Sequence, residues 1–172
     1  MTQTLRRITA VLLLALLTAC GFHLRGKGDT AGFAYPQVYV EGGGGTAEQL
    51  RSYLPLLDGI KVSKTPVENA TAKVVIIGEK VDNIVLTINS SGQATEYKVV
   101  LTVSFSAFRP DATALMTDQK VTLSRSYSYD PNNPIAMNGE SDRLVRDMQQ
   151  DAVQLILRRI NAVAARDKAN AQ

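Results

Sequence analysis

At 172 residues, with 45% hydrophobic and 20% charged side chains, the chain has the length and composition of one globular domain, and disorder is excluded except at its ends. Its formal net charge is +3, but Arg6 and Arg7 stand in an N-terminal stretch that reads as a removable leader. Without that stretch 17 basic side chains face 16 acidic ones, a net charge of +1, and a global electrostatic case for nucleic-acid binding fails.

Behind Arg6 and Arg7 lies an apolar run of ten residues, Ile8 to Leu17. A membrane-spanning helix needs roughly 20 residues, so the run has the length of a signal-peptide core instead. Leu17-Thr18-Ala19-Cys20 resembles the lipobox of bacterial lipoproteins. Residues 1–19 are therefore expected to be removed, leaving Cys20 to carry S-diacylglycerol and N-acyl groups. Cys20 is the only cysteine, so no intramolecular disulfide competes for it. Several acyl chains anchor a protein stably without a transmembrane helix. Gly21, where an Asp would favour inner-membrane retention, points to the outer membrane.

Gly26, Gly28 and Gly32 suggest a tether over residues 20–34, ahead of a domain over residues 35–166. Gln37 to Glu41 alternates as a short strand. Gly42 to Gly45 follows, and Thr46 opens a helix whose apolar face is Leu50, Tyr53, Leu54 and Leu57. Asp58-Gly59 stops it, and Ile60 to Val62 is a second short strand, giving a small right-handed βαβ start.

Ala72 to Ile88 is rich in Val and Ile, with Gly78 placed for a bulge. Asn89-Ser90-Ser91-Gly92 is turn chemistry. The following strand sets Tyr97, Val99, Leu101, Val103, Phe105 and Ala107 against Lys98, Thr102, Ser104 and Ser106, with Val100 the exception. Strict alternation predicts one covered and one polar face. Arg109 to Ala112 turns the chain into a third long strand with Val121, Leu123 and Tyr127 on its apolar side, and a meander results. Pro131 and Pro134 end the sheet. A helix from Asn138 or Ser141 to Arg166 carries the stripe Leu144, Val145, Met148, Ala152, Leu155, Ile156, Ile160 and Val163. Its acids come first and its arginines last, complementing the helix dipole. Residues 167–172 read as a tail.

Catalytic chemistry is poorly provided for. His23, the only histidine, sits three residues after Cys20, so a triad would have to be built from the tether. No paired Cys/His spacing suits a metal, and no cofactor is expected. The Gly42–Gly45 run lacks the Lys-Ser/Thr that a phosphate loop requires and reads as a flexible connector. Arg125 shares a face with Leu123 and Tyr127, where a charge needs a partner or an exposed strand end. It could instead meet an anionic ligand, joined by Lys98, Arg109 and Lys120.

Cys20 to Arg25 (Cys-Gly-Phe-His-Leu-Arg) resembles the mature start of the lipopolysaccharide-assembly lipoprotein LptE family. So do Gly92 to Tyr97 at the hairpin, Arg125-Ser126-Tyr127 before an Asp-Pro loop, and Asp147-Met148 and Asp151-Ala152 ahead of Arg158-Arg159. The resemblance runs from Cys20 to about Ile160. It implies an α+β fold, an α/β sandwich with a mixed, mainly antiparallel sheet of four to five strands and two helices packed on one face. It further implies a non-enzymatic outer-membrane lipoprotein that partners and plugs the LptD β-barrel and supports lipopolysaccharide insertion, with basic residues meeting lipid A phosphates. Ser90, Ser91 and Met137 stand where basic residues would help most, which leaves Lys98, Arg109, Lys120 and Arg125 as candidate contacts. A polar second sheet face suits a barrel lumen. The rival expectations are a lipid-carrier lipoprotein without a barrel and an anchored hydrolase using His23.

Overall fold

The computed structural model describes residues 33–65 and 71–170; the expected leader, Cys20, His23 and most of the expected tether lie outside the described residues. Five strands form one sheet in the order β2-β1-β3-β4-β5. They are β1 (Gln37–Glu41), β2 (Lys61–Ser63), β3 (Ala72–Ile88), β4 (Ala94–Phe108) and β5 (Ala114–Ser128). Helix α1 spans Gly45–Tyr53 and tightens into a 3₁₀ turn over Leu54–Leu56, where Pro55 falls at the turn's start. Helix α2 spans Pro134–Asn170. β1 pairs in parallel with both β2 and β3, while β3–β4 and β4–β5 are antiparallel, so the sheet is mixed and the class α+β, as expected.

The covered face follows from the alternation in β4. Val99, Leu101, Val103 and Phe105 are fully buried, and they meet Met148, Ile156 and Ile160 of α2 and Leu50 and Leu54 of α1 in one core. Val153, Leu157 and Ala164 are also buried, whereas Leu144, Leu155 and Val163 are only partly covered. The helix stripe is therefore rotated from the one the periodicity predicts. α2 packs on the sheet and on α1 together, so its buried arc is wider and displaced toward α1. Gly78 marks a register shift between β3 and β4, as its position in the strand predicts.

Three boundaries differ from expectation. Pro134 opens α2 instead of ending the sheet region, because a proline suits the first helical position, where its missing N–H costs nothing. The helix continues past Arg166 to Asn170, and Asp167 in its last turns is ion-paired with Arg109. Phe33 belongs to the core and the Ala34 N–H donates to Asn161 Oδ1 at 2.9 Å, so these two residues are part of the domain and not of a tether.

Candidate functional site

The four candidate basic residues do not come together. Val99 and Arg125 are cross-strand partners, and Val99 is buried, so Arg125 lies on the helix-covered face. There its guanidinium donates to Asp151 Oδ2 of α2 at 2.6 Å, with both side chains about half exposed. Arg109 follows β4 by one residue, about 33 Å along the strand from Val99 at the usual rise per residue. It donates to Asp167 and, at 2.8 Å, to the carbonyl of Ala114. That hydrogen bond to Asp167 is the main reason its pKa is raised. Both arginines are thus engaged by carboxylates of α2.

Lys98 and Lys120 have the opposite placement. Lys98 pairs with Ser126, Val100 with Ser124, Thr102 with Thr122, and Ser104 with Lys120, forming the face that no helix covers among the described residues. The two lysines stand about 20 Å apart along β4. Between them the face is hydroxyl-rich, extended on β3 by Lys80 and Asp82, which are 2.8 Å apart. Ser106 departs from the expected exposed row. It is 6% exposed and its Oγ accepts the N–H of Asp118 at 3.1 Å, because the β4–β5 register shifts there.

Three features were not anticipated. Tyr97, Tyr127 and Tyr129 cluster at the far end of the meander, with ring centroids 5.9 Å (Tyr97–Tyr127) and 5.1 Å (Tyr97–Tyr129) apart. Tyr97 and Tyr127 both lie on the faces that the alternation makes apolar, but the sequence does not show that their rings meet. Secondly, Ile84, Val85, Leu86 and Ile88 at the end of β3 are exposed. Thirdly, Glu79 ties both helices to the sheet. Its Oε2 accepts the Thr46 N–H at 2.8 Å and its Oε1 accepts from Gln149 Nε2 at 2.8 Å.

Glu79 also corrects the account of the glycine run. Gly42 has φ +106°, and a Cβ there would lie 2.2 Å from the carbonyl oxygen of Ile76; a Cβ on Gly45 would meet the Gln149 amide at 2.1 Å. The run is therefore held closely at its two ends, Gly42 and Gly45, while Gly43 between them lies open. The first turn of α1, where a phosphate would sit in a nucleotide-binding loop, is already occupied by the Glu79 carboxylate. Among the described residues no group of His, Cys, Asp and Glu is arranged to hold a metal, and no helix is long and apolar enough to cross a membrane.

A five-stranded mixed sheet with two helices on one face and a polar second face defines a small α+β sandwich domain. The match to the family model for LptE, lipopolysaccharide-assembly, covers residues 35–160, and the chain belongs to that family. Solved structures of lipoproteins share the fold. Uncharacterized lipoprotein B from Nitrosomonas europaea matches at 25% identity with a TM-score of 0.69, over 84% of this chain and 93% of that one. The rare lipoprotein B of Shewanella oneidensis matches at 21% identity and a TM-score of 0.62, over 78% and 98%. A minor lipoprotein from Acinetobacter baumannii matches at 24% and 0.58, over 74% and 92%. Membership places the chain among envelope lipoproteins with a role in lipopolysaccharide assembly.

Proposed function

We propose that the protein, anchored through acylated Cys20 to the periplasmic side of the outer membrane, partners and plugs an LptD-like β-barrel, supporting both barrel assembly and lipopolysaccharide insertion. The observation that carries this reading is the uncovered sheet face. Thr102, Ser104, Thr122, Ser124 and Ser126 line it with Lys98 and Lys120, a surface matched to the polar lumen of a large barrel. In this arrangement the protein acts by packing, with no bond made or broken. Lys98 and Lys120 are the residues best placed for lipid A phosphates, since ammonium groups pair with phosphate oxygens and neither has a carboxylate within ion-pair distance among the described residues.

Affinity purification of the acylated protein from outer membranes in mild detergent tests this. It is expected to bring down a large β-barrel in stoichiometric amount, and depletion is expected to leave that barrel misassembled and surface lipopolysaccharide reduced. Recovery of the protein alone, with the barrel intact after depletion, would favour a lipid carrier acting without a barrel. Cys20→Ala is expected to abolish acylation, read as the loss of the lipid mass from the mature chain.

A further inference from the structure

Building on the barrel reading above, we infer that the free edge of β3 between Gly78 and Val85 takes an added strand from the barrel's own chain, an extended and uncharged segment with apolar side chains at alternate positions. β1 accompanies β3 only as far as Val75, and among the described residues no strand pairs with that edge of β3 beyond it. β4 occupies the other edge along the whole length. The backbone N–H and C=O groups left on the free edge are matched by another extended chain.

The two edges of the meander are treated differently. Sheet edges are commonly blunted by lysines, prolines or bulges. Along β5 the Arg159 guanidinium donates to the Lys120 carbonyl at 2.7 Å, and left-handed Asp118 (φ 50°) falls within a register shift, so that edge is capped and bent. The β3 edge has no proline between Gly78 and Val85, and its register shifts only flank the stretch, at Ile76/Gly78 and Val85/Thr87. Its one lysine, Lys80, is paired with Asp82 at 2.8 Å.

The side chains along the stretch define the occupant. Val81 and Val85 are the cross-strand neighbours of Leu101 and Tyr97 and lie on the helix-covered side, yet they remain 40% and 47% exposed. Ile84, opposite Lys98, adds an exposed apolar group on the other side. No unanswered charge accompanies them, since Lys80 and Asp82 satisfy each other and Thr46 and Gln149 hold the Glu79 carboxylate. Uncharged β-branched or aromatic residues are the matching partners. A second copy of this chain fits poorly. With a two-fold axis at Val81, its Thr87 and Ile88 fall beside Val75 and Val74, on the edge that Glu41 and Val40 of β1 already occupy. An axis farther along brings the irregular residues Val85 to Ile88 into the pairing. The barrel, by contrast, is adjacent. Lys80 pairs with Thr102 and Ile84 with Lys98, so the face proposed to meet the lumen runs without a break to this edge.

A photo-cross-linker at Val81, and separately at Val85, in the acylated protein within outer membranes tests this. Both are expected to capture the barrel, and the cross-linked peptides are expected to map to one segment at residues about four apart, because opposed strands keep step. Val81→Lys and Val85→Lys, which set a charge on the edge, are each expected to weaken the complex about tenfold, read from its dissociation on dilution in mild detergent. Val81→Thr, an uncharged β-former, is expected to match the wild type. Circular dichroism and the thermal midpoint of each variant confirm that the fold is retained. A barrel recovered with the wild type but cross-linked only from the uncovered face, at Thr122 for example, overturns the edge and leaves the barrel reading standing. So do lysine variants that hold the barrel like the wild type, or capture of a second copy at Val81 and Val85. If the wild type recovers no barrel, both readings fall.

Discussion

The carboxylate of Glu79, in the middle of β3, accepts the backbone N–H of Thr46 in the first turn of α1 at 2.8 Å. Its other oxygen accepts from Gln149 of α2, a side chain only 8% exposed. One acid thereby satisfies a helix N-terminus and a buried amide and ties both helices to the sheet. Removing it leaves an orphan donor on each helix. Glu79→Ala is expected to cost about 2 kcal/mol, combining a lost helix-capping interaction with an unpaired buried amide. Glu79→Gln keeps one acceptor oxygen and is expected to lose about half as much. Urea unfolding curves decide, and two variants with the wild-type midpoint would refute the role.

The two partners of Glu79 lie 33 and 70 positions away, beyond the reach of any local signal in the sequence. The five strands, the meander and the helix layer were legible because alternation in β4 and the three- and four-residue spacing in α2 are local signals. The partners of charged residues were not, since they depend on which elements the fold brings together. Arg125 was placed on the covered face by parity alone, yet nothing in the sequence pointed to Asp151, 26 positions away. Arg109 and Asp167 are separated by 58 positions, and Asp167 fell in a segment read as a tail. The glycine run misled for a related reason. A run of glycines allows freedom, but at Gly42 it meets the need for positive φ and for contact with Ile76.

The two hairpins of the meander are built alike, and one carries a strained residue. Asn89 N–H donates to the Gln93 carbonyl at 2.8 Å, and Arg109 N–H donates to the Thr113 carbonyl at 2.9 Å. In each turn the fourth residue is left-handed: Gly92 at φ 78° and Ala112 at φ 62°. Alanine is disfavoured there by its Cβ, whereas glycine is not. Ala112→Gly is expected to stabilise the domain by about 0.5–1 kcal/mol, the strain relieved being partly offset by the greater freedom of the unfolded chain. Thermal unfolding checks the sign. A lower midpoint would mean that Ala112 makes a favourable contact outweighing its backbone cost.

Asp111, in the second of these turns, makes the hairpin acid-sensitive. Hydrogen bonds from Thr113, the Oγ1–H at 2.6 Å and the N–H at 3.0 Å, hold its carboxyl below the usual carboxylate range. A group whose pKa is depressed on folding contributes fully above its unfolded value, about 4, and the contribution disappears as pH falls through the folded value. The turn is therefore expected to hold at neutral pH and loosen only in acid below that range. The Thr113 amide resonance should follow a transition with an acid midpoint, and Asp111→Asn should remove it. A midpoint at or above the usual carboxylate range would exclude this arrangement.

The placement of the four basic residues gives a discriminating test of anion binding. Arg125 and Arg109 face carboxylates of α2, so their charges are already answered. Lys98 and Lys120 are on the uncovered face and form no ion pair among the described residues. If lipopolysaccharide phosphates bind this face, Lys98→Ala and Lys120→Ala should each weaken binding and flatten its dependence on ionic strength, because one screened charge contact is lost. Arg125→Ala should leave both unchanged and alter stability by less than about 1 kcal/mol, as befits a half-exposed ion pair. Titration of purified lipopolysaccharide at several salt concentrations separates the cases. A loss confined to Arg125→Ala would move the anion site to the helix-covered side, where Asp151 would have to release its partner before a phosphate could take its place.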